Sequence, residues 1–194
     1  GTGFPGESAG VLPNRPRWHA TEKVSLAFGY GITTTPLQLA SAYTVFANGG
    51  VQPPVSLLAL DGEALVGESV IAPEIAAQVL KVLHAVTDEN GTARKARVPG
   101  YQVGGKTGTV HKVGPGGYMD DQYVALFAGV APSDDPRIVT VVVINEPKGE
   151  AYGGGSAAAP VFSRVTQGAL RLLDVPPTEI EAVAQAAAAR GGAA

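Results

Sequence analysis

Three strand-like runs follow one another so closely that only an antiparallel arrangement joins them. Gln102 to Val113, Gln122 to Val130 and Arg137 to Asn145 are rich in β-branched and aromatic residues. Between them stand Gly114-Pro115-Gly116-Gly117 and Pro132-Ser133-Asp134-Asp135-Pro136. A parallel crossover needs about a dozen residues or more, so these short Gly/Pro connections make each run the antiparallel neighbour of the next. The last run, Ile138 to Ile144, is almost continuously apolar, which predicts cover on both of its faces.

The flanking segments supply that cover. Thr35-Pro36 offers a hydroxyl N-cap and a proline at the first helical position. Leu39, Ala42, Tyr43, Phe46 and Ala47 then recur at helical spacing until Asn48-Gly49-Gly50 ends the run. A second helix is predicted from about Pro73 to Val86, with Ile75, Val79, Val82, Leu83 and Val86 as its apolar stripe and His84 on the solvated side. Asp61-Gly62 predicts a hairpin between Val55–Leu60 and Glu63–Val66. Residues Gly1 to Thr34 and Thr87 to Gly100 read as mostly loop. A glycine-rich loop, Gly149 to Ser156, leads into a closing helix from about Ala158 to Leu173. The expected architecture is α+β, with helices packed on an antiparallel sheet. Residues 1–175 form the domain portion and 176–194 an Ala-rich, mobile tail.

Composition narrows the function classes. A net charge of -3 in 194 residues, with no block of like charge, gives no footprint for nucleic acid. The absence of cysteine excludes disulfides, thiolate metal sites and cysteine nucleophiles together. No metal site and no cofactor is expected. No apolar run reaches the length of a membrane span, and the first residues have neither the basic start nor the apolar run of a signal peptide. Beginning without Met inside an ongoing segment, the chain reads as a fragment.

One lysine carries two incompatible motifs. Gly100 to Thr107 satisfies the G-x-x-x-x-G-K-[ST] pattern of a P-loop. A P-loop needs a buried strand before it and a helix beginning at the lysine. Thr92 to Pro99 is too polar for a core strand, and Gly108 to Pro115 opposes a helix with glycines, β-branched residues and a proline. The alternative is the Lys-Thr-Gly triad of serine acyltransferases, here Lys106-Thr107-Gly108 followed by Thr109, opening a strand. Alternation sends Lys106 and Gly108 to one face and Thr107 and Thr109 to the other. An ammonium with threonine hydroxyls suits a substrate carboxylate. Gly108 leaves room for a substrate backbone to lie against the strand.

Further motifs stand around that strand: Gly3-Phe4-Pro5-Gly6-Glu7, Phe28-Gly29-Tyr30-Gly31, Thr35-Pro36-Leu37-Gln38-Leu39-Ala40, Gly91-Thr92-Ala93, Phe127-Ala128-Gly129, Tyr152-Gly153-Gly154 and Ala159-Pro160-Val161-Phe162. With Gly105 to Thr109 they resemble, in order, the class B penicillin-binding proteins, in particular the division-specific transpeptidases of Gram-negative bacteria. The resemblance runs from Gly1 to about Val175. It implies a partial penicillin-binding transpeptidase (serine β-lactamase-like) domain that cross-links peptidoglycan stem peptides ending in D-Ala-D-Ala and is acylated by β-lactams.

Carried over by position, the resemblance makes Lys106 the source of positive potential and proton movement. It gives Thr107 and Thr109 to the substrate carboxylate and the Thr109 N–H to an oxyanion hole. Tyr152 and Gly153 border the groove with Gly108, and His111 stands where some relatives carry arginine. Ala151 takes the place of a second aromatic residue. The family's Ser-x-x-Lys and Ser-x-Asn motifs do not occur in these 194 residues. The expected partners therefore include a missing N-terminal part of the same protein and, by resemblance, division-complex proteins. The expected location is the periplasmic face of the inner membrane, anchored by a segment outside this chain. Half of an enzyme and a non-catalytic groove-binding module both remain open, with nucleotide binding the weakest reading.

Overall fold

The computed structural model describes residues 2–59, 62, 66–114, 116–149 and 151–178. The three predicted strands are present as β3 (Gly104–Gly114), β4 (Gly117–Ala131) and β5 (Ile138–Asn145), once a short two-stranded ladder earlier in the chain, β1 (Val51–Gln52) with β2 (Glu68–Ser69), is numbered first. They form one antiparallel sheet in the order β3-β4-β5. Lys106 begins no helix; it lies in the third position of β3, which removes the P-loop reading.

The hairpin is displaced. Its paired residues are Val51 with Ser69 and Gln52 with Glu68, outside the predicted strands, and residues 55–59 and 66 are not in strand. Asp61 and most of the predicted second strand lie outside the described residues. Ladder formation starts where Gly50 touches the main chain of Ile71: a Cβ on Gly50 would sit 2.1 Å from the Ile71 carbonyl oxygen. Only a residue without a side chain admits that approach.

Helix α2 (Pro36–Ala47) begins as predicted, with Pro36 in its first turn. Thr35 Oγ1 accepts a hydrogen bond from the Gln38 N–H at 3.1 Å, and Gln38 Oε1 accepts from the Thr35 N–H at 2.9 Å. This reciprocal box satisfies two main-chain donors at the helix start. Residues 1–34 are not all loop, because α1 (Ala20–Ala27) forms there. Its start is held by Glu22, whose carboxylate accepts from the His19 N–H at 2.9 Å, a local device in a helix that buries no residue. The apolar periodicity that reveals a helix in sequence is therefore missing.

Helix α3 (Pro73–His84) continues into a 3-10 turn, Ala85–Thr87. The predicted stripe is rotated in part: Val79, Leu83 and Val86 turn inward as expected. Ala76, Leu83 and Thr87 are buried, whereas Ile75 and Val82 are exposed. Small Ala76 allows close approach, and the inner face follows the 76, 83, 87 spacing. That rotation places His84 beside the inner face. It is half-buried rather than solvated, its Nδ1 3.3 Å from the Val103 carbonyl oxygen.

Helix α4 (Ala159–Leu172) follows a single π-type turn, Gly154–Ala158. It packs on the sheet face that carries Phe127, and Phe127 and Phe162 meet edge to face with centroids 4.7 Å apart. Ala93, Ala96, Val98, Tyr101, Val103 and Leu170 complete this core. The loop after α3 thus contributes three buried apolar residues and a second 3-10 turn, Arg94–Ala96, despite its polar composition. The Tyr101 hydroxyl donates to the Val175 carbonyl at 2.6 Å and ties the chain beyond α4 to the core. The proposed mobile tail lies outside the described residues from 179 onward.

The opposite face of the sheet meets α2 and α3. Cover of β5 is incomplete on both faces: Ile138, Thr140, Val142 and Ile144 are half-buried on the α4 side, and Val143 is 43% exposed on the other. Phe162, fully buried against Phe127 and Gly129, is one of the two largest fully buried side chains of the described residues. Phe162→Ala is expected to cost about 3–5 kcal/mol, the transfer term plus the cavity left behind. Urea denaturation checks this as a lowered midpoint with an unchanged slope.

Candidate active site

The site is built on a strand edge. β4 occupies one side of β3, and among the described residues no strand pairs with the other. Its N–H and C=O groups are consequently available to an extended ligand, the arrangement used when a peptide adds to a sheet. Register with β4 sets the faces. Lys106 pairs with Ala128, Thr107 with Phe127, Gly108 with Leu126 and Thr109 with Ala125. Phe127 points into the α4 core, so Thr107, Thr109 and His111 share that face, and Lys106 and Gly108 lie on the other. The predicted alternation is present.

Lys106 is exposed. Its ammonium folds back to donate to the Thr107 carbonyl at 3.0 Å. No carboxylate neutralises it among the described ion pairs. The two glycines before it are close-packed. A Cβ on Gly104 would lie 3.2 Å from Leu83 Cβ, and one on Gly105 would lie 2.4 Å from the Phe127 ring. Space left by Gly108 is taken by Leu126, whose Cγ is 2.7 Å from where a Cβ would be. What Gly108 offers a ligand is its main-chain edge.

The glycine-rich loop closes over the threonine face. The Gly154 N–H donates to Thr109 Oγ1 at 3.0 Å, leaving the hydroxyl proton free for another acceptor. A Cβ on Gly154 would sit 2.4 Å from the Leu126 carbonyl oxygen and 2.5 Å from that of Gly108, so this turn rests directly on the sheet backbone. A Cβ on Gly155 would lie 2.4 Å from the Thr92 carbonyl oxygen. Gly91-Thr92-Ala93 is therefore a seat for that loop. Gly153 stands beside this contact, half-buried.

Tyr152 is 44% exposed and stacks on Tyr123 with ring centroids 4.3 Å apart. His111 lies tilted against the other side of Tyr123 at 4.4 Å, and Tyr118 meets His111 edge to face at 6.0 Å. Ala151 leaves no gap in this row, because Tyr123 from β4 supplies the second ring. Tyr123 and Tyr118 were not among the residues singled out from sequence. The only available signal was that Tyr123, Ala125 and Phe127 alternate in one run, and the register that brings Tyr123 beside His111 is not a sequence property.

Lys112 bridges to Glu146, the residue after β5, and the Glu146 N–H donates to the Tyr123 carbonyl at 2.9 Å. This strap spans a register shift between His111 and Val113, where Asp121 adopts a positive φ of 57°. Among the described residues no group of His, Cys, Asp and Glu is arranged to hold a metal ion. No helix there is long and apolar enough to cross a membrane.

The free edge of β3 thus brings together an exposed lysine, two threonines, a glycine turn and an aromatic row. Residues 1–167 match the penicillin binding protein transpeptidase domain, and the chain belongs to that family. It is 42% identical over 178 residues to the probable peptidoglycan D,D-transpeptidase PenA of Neisseria flavescens, an alignment covering 92% of this chain and 44% of that protein. The peptidoglycan D,D-transpeptidase FtsI of Escherichia coli K12 is 39% identical over 175 residues, covering 90% of this chain and 30% of FtsI. The apo transpeptidase domain of Burkholderia pseudomallei penicillin-binding protein 3 superposes with a TM-score of 0.84 at 40% identity, covering 91% of this chain and 54% of that one. The chain thus spans less than half of the length of these curated relatives, 44% of PenA and 30% of FtsI.

The strap generates a pH prediction. The hydrogen bond and charge of Lys112 hold the Glu146 carboxyl below its ordinary range. A depressed folded pKa adds stability that is fully present above the unfolded value and is lost as pH falls through the folded one. Glu146→Gln is therefore expected to lower the urea midpoint at pH 7 and to lower it less near pH 3, below about the unperturbed glutamate value of 4.3. An equal loss at both pH values would show that the charge of Glu146 contributes nothing.

Proposed function

We propose that this chain is the C-terminal part of the transpeptidase domain of a peptidoglycan D,D-transpeptidase, acting in septal wall synthesis on the periplasmic face of the inner membrane. The observation that carries the reading is Lys106-Thr107-Gly108-Thr109 on the free edge of β3 with the Gly154 turn seated behind it. In this reading β3 receives a stem peptide ending in D-Ala-D-Ala, or a β-lactam, in extended form. Lys106 supplies fixed positive potential and aids proton movement. Thr107 and Thr109 hold the terminal carboxylate, and the Thr109 N–H is one oxyanion donor. Tyr152, Tyr123 and His111 border the far end of the groove.

The nucleophile lies elsewhere in this reading. Attack on the penultimate D-alanine carbonyl needs a serine beside a base, and no Ser-x-x-Lys occurs in these 194 residues. The rest of the domain, contributed by earlier sequence, supplies it and covers the open side of the sheet. Exposed Val143 on β5 and Val82 on α3, with Phe4, Leu12, Val24, Phe28 and Ile32 in the N-terminal segment, support a covering partner, because a monomer seldom leaves so many large apolar side chains in water.

Two measurements test the proposal. The isolated chain is expected to form no covalent adduct with fluorescent penicillin after denaturing electrophoresis; a stoichiometric band would demand a nucleophile within it. In the full-length protein, Lys106→Ala is expected to slow acylation by penicillin on the order of a hundredfold, as loss of one preorganised charge-stabilising group does. The melting temperature should barely move, because Lys106 is exposed. Lys112→Ala, which loses only the Glu146 strap, should acylate almost normally. Equal slowing in both, or none in Lys106→Ala, would overturn the assignment.

A further inference from the structure

The strand that presents Lys106 is held at its beginning by a group of contacts with no place in the groove itself. Val103 precedes Lys106 by three residues, about 10 Å along an extended chain. The Val103 carbonyl accepts from Thr87 Oγ1 at 2.8 Å and lies 3.3 Å from His84 Nδ1. One residue earlier, the Gln102 carbonyl accepts from the Ser133 N–H at 2.8 Å. Thr87 is 4% exposed, and its own carbonyl is fixed by the Arg97 Nε–H at 2.6 Å. Its hydroxyl proton is shared, since the His84 carbonyl also stands 3.0 Å from Oγ1. Gly104 is pressed against Leu83, so the end of α3 packs directly on the start of β3.

Beyond this clamp no described strand pairs with the outer edge of β3, and exposed Lys106 makes only local bonds to Thr107 among the described residues. Its placement therefore depends on the β4 ladder on one side, on the Gly154 turn seated on Gly108, and on the Thr87 clamp upstream. We propose that Thr87, assisted by His84, is a positioning residue for Lys106: its buried hydroxyl pins the strand so that the ammonium stands at a fixed distance along the groove. The inference rests on Lys106 acting in acyl transfer, where a misplacement of about 1 Å costs on the order of a hundredfold in rate.

The test is a double-mutant cycle in the full-length protein, read as the second-order rate of acylation by fluorescent penicillin. Thr87→Val keeps the shape and removes the hydroxyl; Thr87→Ser keeps the hydroxyl. With Lys106 present, Thr87→Val is expected to slow acylation about tenfold and Thr87→Ser less than about twofold. In a Lys106→Ala background, Thr87→Val should add less than about twofold, because the group it positions is gone. A normal rate in Thr87→Val, or the same tenfold loss in both backgrounds, overturns the inference. If Thr87→Val does not fold, His84→Leu against His84→Asn, which retains a donor, runs the same cycle with the same criteria. A normal rate in Lys106→Ala alone would instead overturn the role of the lysine, so the two failures are distinct.

Discussion

The register between β3 and β4 is the constraint on which the rest of the structure depends. Pairing Lys106 with Ala128 and Thr107 with Phe127 turns Phe127 into the α4 core and leaves Lys106 on the opposite face. A slip of one residue would invert every side chain of the strand, burying a lysine and exposing the threonines to the wrong surface. Several contacts oppose that slip. A Cβ on Gly105 would strike the Phe127 ring, one on Gly108 would strike Leu126, and one on Gly154 would strike the backbone of both strands. The glycines thus act as register marks, each placed where the neighbour leaves no room for a Cβ.

From that register follows a division of labour between the two faces. The α4 face is closed by Phe127, Phe162 and Leu170, and its outer margin carries Thr107, Thr109 and the stacked rings of His111, Tyr123 and Tyr152. The α2 and α3 face is less well covered and carries the ammonium. A charged group stays exposed because burying it without a partner costs far more than any packing gained. Family membership fits this asymmetry: the described residues make up about half of the similar transpeptidase domain from Burkholderia pseudomallei, and the surface that remains open is apolar around α1 and α3.

Much of this was legible in the residues, and the exceptions share a cause. The meander was readable because its connections are too short for any other topology, and α2 because Thr35 and Gln38 cap it locally. Helix α1 was not, since it buries nothing and shows no apolar period. The hairpin at Asp61-Gly62 was read from its turn dipeptide, but the ladder forms further out, where Gly50 meets Ile71. The inner face of α3 was legible at Val79, Leu83 and Val86 but not at Ile75 and Val82, which are exposed while the smaller Ala76 packs inside. His84 went with that error: half-buried beside the start of β3, it had been assigned to water.

Within the site, sequence alone determined which chemistry is present: Lys106-Thr107-Gly108-Thr109 on a strand, a glycine turn after Tyr152, and no Ser-x-x-Lys. These are properties of local composition and spacing, which survive without knowledge of the fold. Tertiary structure decided what those groups touch. It placed Tyr123 between His111 and Tyr152, seated Gly154 on Gly108, and set Thr87 against Val103 across sixteen residues of chain. Such contacts join segments distant in sequence through packing and strand register, and neither is encoded in any short window of residues.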